Sequence, residues 1–266
     1  MKKTILITGS TDGIGKLTAQ KLAVEGHEVV LHGRNLEKLT AAIAELKQNS
    51  NNENIRGYVA DFADLDAVRQ MAGRLKEELT KIDVLINNAG VFKSSAADNK
   101  DGLDLRMVVN YLAPYLLTEE LMPLIRKGTD ARIINLSSAA QAPVSKEVLL
   151  GQAKQSAQAT YAQSKLALTM WSFDLAKKLQ DISVIAVNPG SLLNTRMVRE
   201  AYGKSWSSAD KGATILYELA ILESYKGVTG KYFDNDQGAF GRAHSDAYQQ
   251  ESIDRLIEVT KAMLTA

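Results

Sequence analysis

The stretch "LITGSTDGIGKLTAQKLAVEG" (residues 6–26) passes from an apolar run through three glycines into an amphipathic segment. Gly9, Gly13 and Gly15 give the spacing G-x-x-x-G-x-G. A backbone without side chains can turn tightly and approach a pyrophosphate, and the N-terminus of a following helix offers free N–H groups and a positive dipole. The stretch therefore predicts a strand, a glycine turn and a helix that bind a dinucleotide. A glycine-rich turn that holds no ligand is the simpler alternative.

Short apolar runs recur along the rest of the chain and alternate with helical patterns. Runs rich in Ile, Val and Leu are typical of parallel strands that are covered on both faces. They occupy residues 4–8, 28–32, 56–60, 83–87, 132–136 and 183–187, with a weaker seventh at 228–233. Between them the apolar period changes to that of a helix, for example from Val68 to Leu79, where Asp64 is placed to cap the helix. We expect an α/β fold over residues 1–266: a single-domain, Rossmann-type, doubly wound parallel sheet of about seven strands flanked by helices.

Composition excludes several classes of function. The 266 residues include 32 Lys and Arg against 31 Asp and Glu, so no net field favours nucleic acid or an anionic membrane. The absence of cysteine excludes disulfides, thiolate zinc sites and a cysteine nucleophile, and three scattered histidines argue against a metal centre. No apolar run approaches the roughly 20 residues of a membrane span. "KKTILITG" leaves no room for a cleavable signal, and we expect a cytoplasmic protein without a membrane partner.

The end of the second predicted strand indicates which dinucleotide is bound. In NAD-binding sheets an acid at this point accepts from the ribose 2′-hydroxyl, whereas an arginine accommodates a 2′-phosphate. Here the strand ends in "HGRN", with no acid and with Arg34 as the first charged residue. A guanidinium can form bidentate bonds to phosphate, so NADP is favoured over NAD. The alternative is that Arg34 only caps a surface loop.

A second pattern, "TYAQSKLAL" (residues 160–168), places Tyr161 and Lys165 one helical turn apart on the same face. A free tyrosine has a pKa of about 10 and is seldom ionised at neutral pH. A neighbouring ammonium stabilises the phenolate and brings the tyrosine toward the pH at which general acid–base catalysis is most efficient. The spacing alone also occurs by chance in helices.

Six motifs occur in order along the chain: T-G-x-x-x-G-I-G (8–15), NNAG (87–90), VVNYLAP (108–114), NLSS (135–138), Y-x-x-x-K (161–165) and NPG (188–190). Together they make the chain resemble the short-chain dehydrogenase/reductases, in their compact single-domain branch. "HGRN", "YLAPYLLT", "YAQSKLAL" and "GKYFDN" are most similar to the retinol-dehydrogenase and WW-domain-oxidoreductase-like relatives. Many retinol dehydrogenases carry a membrane anchor that we do not expect here, so we do not expect retinoid specificity to be inherited.

The resemblance implies four catalytic residues. Tyr161 is the expected general acid/base at the substrate oxygen, and Ser138 is expected to hydrogen-bond the same oxygen. Lys165 is expected to hold the nicotinamide ribose and to lower the pKa of the tyrosine. Asn110 is expected to hold a water that links Lys165 to solvent. One departure is the separation of Ser138 and Tyr161 by 23 positions, more than in the family's shorter members.

The resemblance also implies the positions that bind the cofactor. Asp61 and Phe62 would receive the adenine, and residues 189–190 with Thr195 would lie along the nicotinamide end of the cofactor. A homodimer or homotetramer that assembles through the Tyr161 helix is implied as well. The full set is Gly9, Ser10, Thr11, Asp12, Gly13, Ile14, Gly15, Arg34, Asn35, Asp61, Phe62, Asn88, Ala89, Gly90, Tyr161, Lys165, Pro189, Gly190 and Thr195.

Two segments without sustained periodicity, 142–159 and 191–212, follow the fifth and sixth predicted strands. Sheets of this kind bind ligands at the carboxyl ends of their strands, so we expect substrate specificity in these segments. "PVSKEVLL" and "SLLNTRMV" place apolar side chains beside a few polar ones. That mixture suits a small, moderately apolar carbonyl or alcohol substrate.

The resulting hypothesis is an NAD(P)-dependent oxidoreductase, with NADP favoured, that transfers hydride between nicotinamide and an alcohol or carbonyl group. A catalytically silent NADP-binding sensor on the same fold is the alternative. A serine hydrolase would need a G-x-S-x-G elbow, whereas the glycine turn reads "GSTDG". An epimerase of the same superfamily would need a larger substrate lobe than the residues after 190 provide.

Overall fold

One mostly parallel sheet runs through the part of the chain that the computed structural model describes, residues 1–203 and 206–265 without the side chains of 201 and 202. Its order is β3-β2-β1-β4-β5-β6-β7-β8, and only β8 is antiparallel to its neighbour. The strands are β1 (Thr4–Ile7), β2 (Glu28–Gly33), β3 (Ile55–Val59), β4 (Val84–Asn87), β5 (Arg132–Leu136), β6 (Ser183–Asn188), β7 (Lys231–Asp234) and β8 (Ala239–Gly241). The predicted α/β fold is confirmed.

Helices connect the strands and cover both faces of the sheet. Two single 3₁₀ turns (Glu223–Tyr225 and Ser245–Tyr248) and one π-helical turn (Val108–Leu112) accompany them. The α-helices are α1 (Gly13–Val24), α2 (Leu36–Ser50), α3 (Leu65–Glu78), α4 (Leu105–Met107), α5 (Ala113–Ile125), α6 (Lys146–Leu149), α7 (Ala157–Lys178), α8 (Arg196–Tyr202), α9 (Ala209–Ile221) and α10 (Gln250–Thr265). Within the described residues, no helix is both long and apolar enough to cross a membrane.

The apolar strands are buried on both sides, which accounts for their near-continuous hydrophobic sequence. In β1, Leu6 faces a core shared with α3, α5 and α7, whereas Ile5 and Ile7 face a core shared with α1, α2 and α9. The strand order reverses between β2-β1 and β4-β5. Ligands of doubly wound sheets bind at such a switch point, outside the carboxyl ends of the strands.

Most predicted elements lie where the sequence pattern placed them, and Asp64 caps α3 by accepting from the Asp66 backbone N–H at 3.0 Å. The weak seventh strand begins at Lys231, three residues later than predicted. The eighth strand, β8, was not predicted. Segments 142–159 and 191–212 are loops with the short helices α6 and α8, although their last residues already belong to α7 and α9. Residues 204 and 205 of the second segment lie outside the described residues.

Helix α7 is enclosed within a single chain. All its side chains from Gln163 to Ala176 are buried. The C-terminal segment covers its outer side: the Phe173 and Tyr248 rings are 5.3 Å apart, and α10 contributes Ile253 to the same core. Within the described part of the chain, no side chain of α7 between Gln163 and Ala176 is exposed.

Candidate active site

The glycine turn joins β1 to α1 at the switch point, and its conformation explains the glycines. Gly9 has φ +63°, and a Cβ there would lie 2.8 Å from the Ala89 backbone. A Cβ at Gly15 would lie 2.5 Å from the Asn88 side-chain amide. Gly13 also has positive φ (+56°) and faces Thr195. The turn therefore packs closely on the end of β4, and a side chain at Gly9 or Gly15 would push the two apart.

The remaining side chains of the turn form hydrogen bonds or packing contacts within the protein. Ser10 is buried and donates its hydroxyl to the Ile7 carbonyl at 2.8 Å. Asp12 caps α1 by accepting from the Gly13 N–H at 2.7 Å. Thr11 packs against Gly33, and Ile14 belongs to the apolar core under α9. What the turn offers to an anion is therefore the backbone at the start of α1, as the sequence pattern indicated.

The residues expected on the adenosine side differ in exposure. Arg34 is exposed and forms no salt bridge within the described chain, whereas Asn35 caps α2 by accepting from the Lys38 N–H at 2.9 Å. Asp61 is exposed and accepts from the Ala63 N–H at 3.0 Å. Phe62 is only 3% exposed, so a ligand could reach its backbone but not stack on its ring.

The "NNAG" residues form a platform between the glycine turn and the side chains predicted to be catalytic. The Thr8 hydroxyl accepts from the backbone N–H groups of Asn88 and Ala89 at 3.0 Å each. The Asn88 side chain donates to the carbonyls of Thr8 and Gly9 at 2.8 Å each. Its amide therefore holds the turn in place.

Lys165 reaches the centre of the site from α7. Its Nζ lies 5.6 Å from the centroid of the Tyr161 ring and donates to the Leu136 carbonyl at 2.7 Å. Lys165 is 5% exposed, and burial lowers the pKa of its ammonium to about 8. The predicted Tyr161–Lys165 pair is thus a half-buried phenol beside a buried ammonium. The Phe92 ring contacts Tyr161 edge-on, at 4.9 Å between centroids.

Asn110 lies in the π-helical turn, and its side chain is fully engaged. Its Oδ1 accepts from the Val91 N–H at 2.8 Å, and its Nδ2 donates to the Val91 carbonyl and the Ser164 hydroxyl at 3.0 Å each. A Cβ at Gly90 would lie 3.3 Å from Asn110 Oδ1 and 3.7 Å from Lys165 Nζ. Gly90, Asn110 and Lys165 therefore meet around a space that a side chain would fill. π-Helical turns are often found at functional sites.

Ser138 follows β5 and is held beside the start of α7. Its hydroxyl oxygen accepts from the Ala140 N–H at 3.1 Å, a bond that does not use the hydroxyl proton. Its carbonyl accepts from the Gln141 side chain at 2.9 Å and the Tyr232 hydroxyl at 3.1 Å. Farther along the same loop, the Ala142 N–H donates to the Ala162 carbonyl, next to Tyr161.

The "NPG" turn after β6 is held by the turn between β7 and β8. Asp236 accepts from the Asn188 side chain at 2.9 Å and from the Ser191 N–H at 2.8 Å. Gly190 has φ +118°, and the Pro189 carbonyl accepts from the Asn235 side chain at 2.9 Å. Beyond the turn, Thr195 caps α8 through the Val198 N–H at 3.3 Å. Sequence reasoning did not find Asp236, because its partners lie 45 and 48 positions away.

The segments expected to bind substrate are partly committed to the core. Val148 and Leu149 of α6 are buried in the main apolar cluster, so they cannot line a pocket. Segment 191–212 is closed at its base by backbone bonds, including Asn194 N–H to the Ser207 carbonyl at 2.7 Å. Met197 of α8 approaches Gly90 from the other side of the cleft. Among the residues that the structure describes, no group of His, Cys, Asp and Glu could hold a metal ion.

Comparison with known proteins agrees with this geometry. The family model described as short chain dehydrogenase matches residues 3–205. The chain belongs to the short chain dehydrogenase family. Human retinol dehydrogenase 13 is 32% identical, over 98% of this chain and 84% of its own length. Human polyprenol dehydrogenase is 29% identical, over 88% of this chain and 77% of its own. Members of the family are oxidoreductases of alcohol and carbonyl groups, and the predicted resemblance is confirmed.

Solved structures of this family show the same fold. A short chain dehydrogenase from Shigella flexneri, complexed with NADP, is 26% identical with a TM-score of 0.71, over 88% of this chain and 97% of that one. Salutaridine reductase from Papaver somniferum is 25% identical with the same TM-score, over 88% and 99%.

Proposed function

We propose that this short chain dehydrogenase is NADP(H)-dependent and transfers hydride between nicotinamide and an alcohol or carbonyl substrate, with Tyr161 as general acid/base. The observation that carries the proposal is the buried Lys165 ammonium beside the Tyr161 ring, where a Cβ at Gly90 would lie 3.7 Å from Lys165 Nζ. An ammonium so placed favours the phenolate over the phenol, which is what proton transfer to and from a substrate oxygen requires.

The residues of the cleft fit a dinucleotide. The glycine turn would hold the diphosphate through its backbone, and the Gly90 platform leaves room that any side chain would occupy. The exposed Arg34 is free to bind a ribose 2′-phosphate, and complexes with NADP and NADPH are known for related structures. The nicotinamide ring would supply or accept the hydride.

Each catalytic side chain would then have a distinct role in the reaction. Tyr161 would give or take the proton at the substrate oxygen, and Ser138 would donate its free hydroxyl proton to that oxygen. Lys165 would bind ribose hydroxyls and stabilise the phenolate. Because the Asn110 side chain is bound to Val91 and Ser164, we assign any water-holding role to its backbone carbonyl.

The side chains that lie next to Tyr161 and Gly90 suit a small, moderately apolar substrate. The Phe92 ring lies edge-on to Tyr161, and Met197 approaches from α8. Both side chains are apolar and lie next to the catalytic groups, so they would favour a substrate with hydrocarbon around its reacting carbon.

A homodimer or homotetramer through α7 would require α10 to move away, since α10 and the turn before it cover that helix. We therefore propose that the homodimer or homotetramer assembles through a face other than α7. Light scattering at micromolar concentration is expected to give the mass of two or four chains. A stable dimer whose contacts map to α7 would contradict this. The cytoplasmic location stays a prediction.

Replacement of Tyr161 tests the catalytic assignment. Tyr161→Phe is expected to lower turnover of a panel of aldehydes, ketones and secondary alcohols by at least ~10²–10⁴-fold, the usual contribution of general acid–base catalysis. NADPH binding should stay nearly unchanged. Tyr217→Phe, on the outer helix α9, is the matched control and should keep full activity. Activity of Tyr161→Phe within a few-fold of wild type would refute the assignment, and NADPH binding by an inert wild type would favour the sensor.

Replacement of Arg34 tests the cofactor assignment. Arg34→Ala removes a charge-assisted phosphate bond worth roughly 1.5–3 kcal/mol, and should weaken NADPH binding about ten- to a hundred-fold. NADH binding should change little. Arg255→Ala, an exposed arginine on α10, is the control. An equal loss for both nucleotides would mean that Arg34 does not contact the phosphate.

A further inference from the structure

His32, the next-to-last residue of β2, is buried at the cofactor side of the sheet and is the first residue of "HGRN", where no role was assigned to it. Only 3% of its surface is exposed. Its Nδ1 lies 3.0 Å from the Gly9 backbone nitrogen, and its Nε2 lies 3.0 Å from the Ala60 carbonyl oxygen. Its ring stacks on Phe62, with 4.1 Å between centroids and 21° between planes. One imidazole thus contacts both the glycine turn and the segment expected to receive the adenine.

These contacts define the protonation state of the ring. Nδ1 faces a peptide N–H and must accept, while Nε2 faces a carbonyl and must donate. Only the neutral tautomer with its proton on Nε2 satisfies both partners. Burial lowers the pKa of His32 to about 4, so this neutral form is present at neutral pH. The bond to Ala60 therefore selects the tautomer that can hold Gly9.

The glycine turn depends on residue 32 for more than one bond. The Ser10 N–H donates to the His32 carbonyl at 2.9 Å, and the His32 N–H donates to the Ser10 hydroxyl at 3.0 Å. With the bond to the imidazole and a longer one from the Ser10 hydroxyl to the His32 carbonyl (3.5 Å), the first two residues of the turn share four hydrogen bonds with one residue of β2. Of these, the Gly9 bond alone depends on the identity of the side chain at position 32.

We propose that His32 is a positioning residue for the cofactor: its Nδ1 accepts from the Gly9 N–H and so holds the glycine turn in the conformation that receives the dinucleotide, while the bond to Ala60 keeps that nitrogen unprotonated. This inference rests on the proposed NADP(H) site. The hydrogen bonds of the ring go to Gly9 and Ala60, so His32 acts on the affinity for the whole dinucleotide and not on hydride transfer.

Two substitutions at His32 separate its hydrogen bond from its volume. His32→Leu fills the space but leaves the part-buried Gly9 N–H without an acceptor. His32→Asn places Oδ1 close to the position of Nδ1 and can still accept from Gly9. His27→Leu is the matched control: His27 is also a buried histidine whose Nδ1 accepts a backbone N–H, from Lys3 at 3.1 Å, but at the opposite end of β1.

The measurement is the dissociation constant of NADPH by nucleotide fluorescence, with 2′-AMP as a probe of the adenosine half alone. His32→Leu is expected to raise the constant for NADPH about tenfold or more, and His32→Asn less than about threefold, as the loss of one buried hydrogen bond implies. The constant for 2′-AMP should change less than about threefold in both, because 2′-AMP lacks the diphosphate that the glycine turn would hold. The KM for NADPH should rise in His32→Leu while kcat at saturating NADPH is kept, and His27→Leu should bind as wild type does.

Other results would overturn the inference. NADPH binding by His32→Leu as tight as wild type would do so, as would an equal loss in His32→Asn and His32→Leu at equal melting temperatures. If the leucine variant does not fold, His32→Gln replaces it, since its longer amide can reach Ala60 but not Gly9. Wild-type protein that binds neither NADPH nor NADH would overturn the proposed function itself, and the role of His32 with it.

Discussion

Lys165→Met is expected to make the protein more stable while it abolishes activity. Burial lowers the pKa of the Lys165 ammonium from 10.5 to about 8. The native state therefore disfavours the charged form by about 3 kcal/mol, taking 1.36 kcal/mol for each pKa unit. Methionine fills a similar volume without charge, but it leaves the Leu136 carbonyl without its donor, at a cost of about 1 kcal/mol. The net gain in free energy of unfolding is about 2 kcal/mol at pH 7.

The gain has a defined pH dependence. Because the native pKa lies below the unfolded one, the unfolded chain binds more protons at this site between pH 8 and 10.5, and wild-type stability rises with pH there. The cost of the buried charge is complete below pH 8 and disappears above 10.5. The advantage of Lys165→Met should therefore shrink by about 2 kcal/mol between pH 7 and 9.5.

Urea unfolding of wild type and Lys165→Met at pH 7 and 9.5, without nucleotide, measures both effects. The difference between the two proteins cancels the titration of all other groups. Lys177→Met, an exposed lysine of the same helix, should show neither the gain nor its pH dependence. A methionine variant less stable than wild type at pH 7, or a difference independent of pH, would refute the reasoning. The expected result is a functional charge kept at a cost in stability.

Three further predictions concern the glycine turn, His32 and the "NPG" turn. Gly9→Ala should lower the free energy of unfolding by more than about 1 kcal/mol, because φ is positive at Gly9 and the Ala89 backbone occupies the place of a Cβ. Gly73→Ala, in an open position of α3, should raise the free energy of unfolding by about 1 kcal/mol. Urea unfolding that ranked the two alike would contradict this. Burial depresses the native pKa of His32, and the Asp61 carboxylate is its one charged neighbour within the described residues. The contribution of His32 to the free energy of unfolding is therefore complete above pH 6.5 and should fall by about 3 kcal/mol toward pH 4. An acid titration of stability in which wild type and His32→Leu stay equally far apart would exclude it. Asp236→Ala should raise the KM for the cofactor about three- to tenfold, because it removes the acceptor that Asn188 and Ser191 share and so loosens the "NPG" turn; an unchanged KM would argue against that support.

The fold could be predicted because its signals are local. A parallel strand buried on both faces is apolar along its whole length, whichever strands lie beside it. The glycine turn between β1 and α1 and the Asp64 cap of α3 likewise depend on neighbours a few residues away. β8 carries no such signal, since its three residues are exposed or half-buried and pair only because the edge of β7 lies next to them.

The directions of the side chains around the site could not be predicted from neighbouring residues in the sequence. Phe62 was expected to meet adenine, but its ring is buried on His32. Val148 and Leu149 were expected near the substrate, but α6 turns them into the core. Asn35 and Ser10 are used by the protein as a helix cap and a buried hydroxyl. In each case packing against a distant element decided which way the side chain faces.

The pair Tyr161 and Lys165 was visible in the sequence because one helical turn brings the two side chains to the same face. What makes Lys165 unusual was not visible. Its burial and its bond to Leu136 come from a strand 29 positions away, and the bond of His32 to Gly9 spans 23. The sequence by itself determined seven of the eight strands, the glycine turn and the family. Only the tertiary structure decided which polar groups are buried and what they bind, because burial and hydrogen-bond partners depend on contacts between elements far apart in the chain.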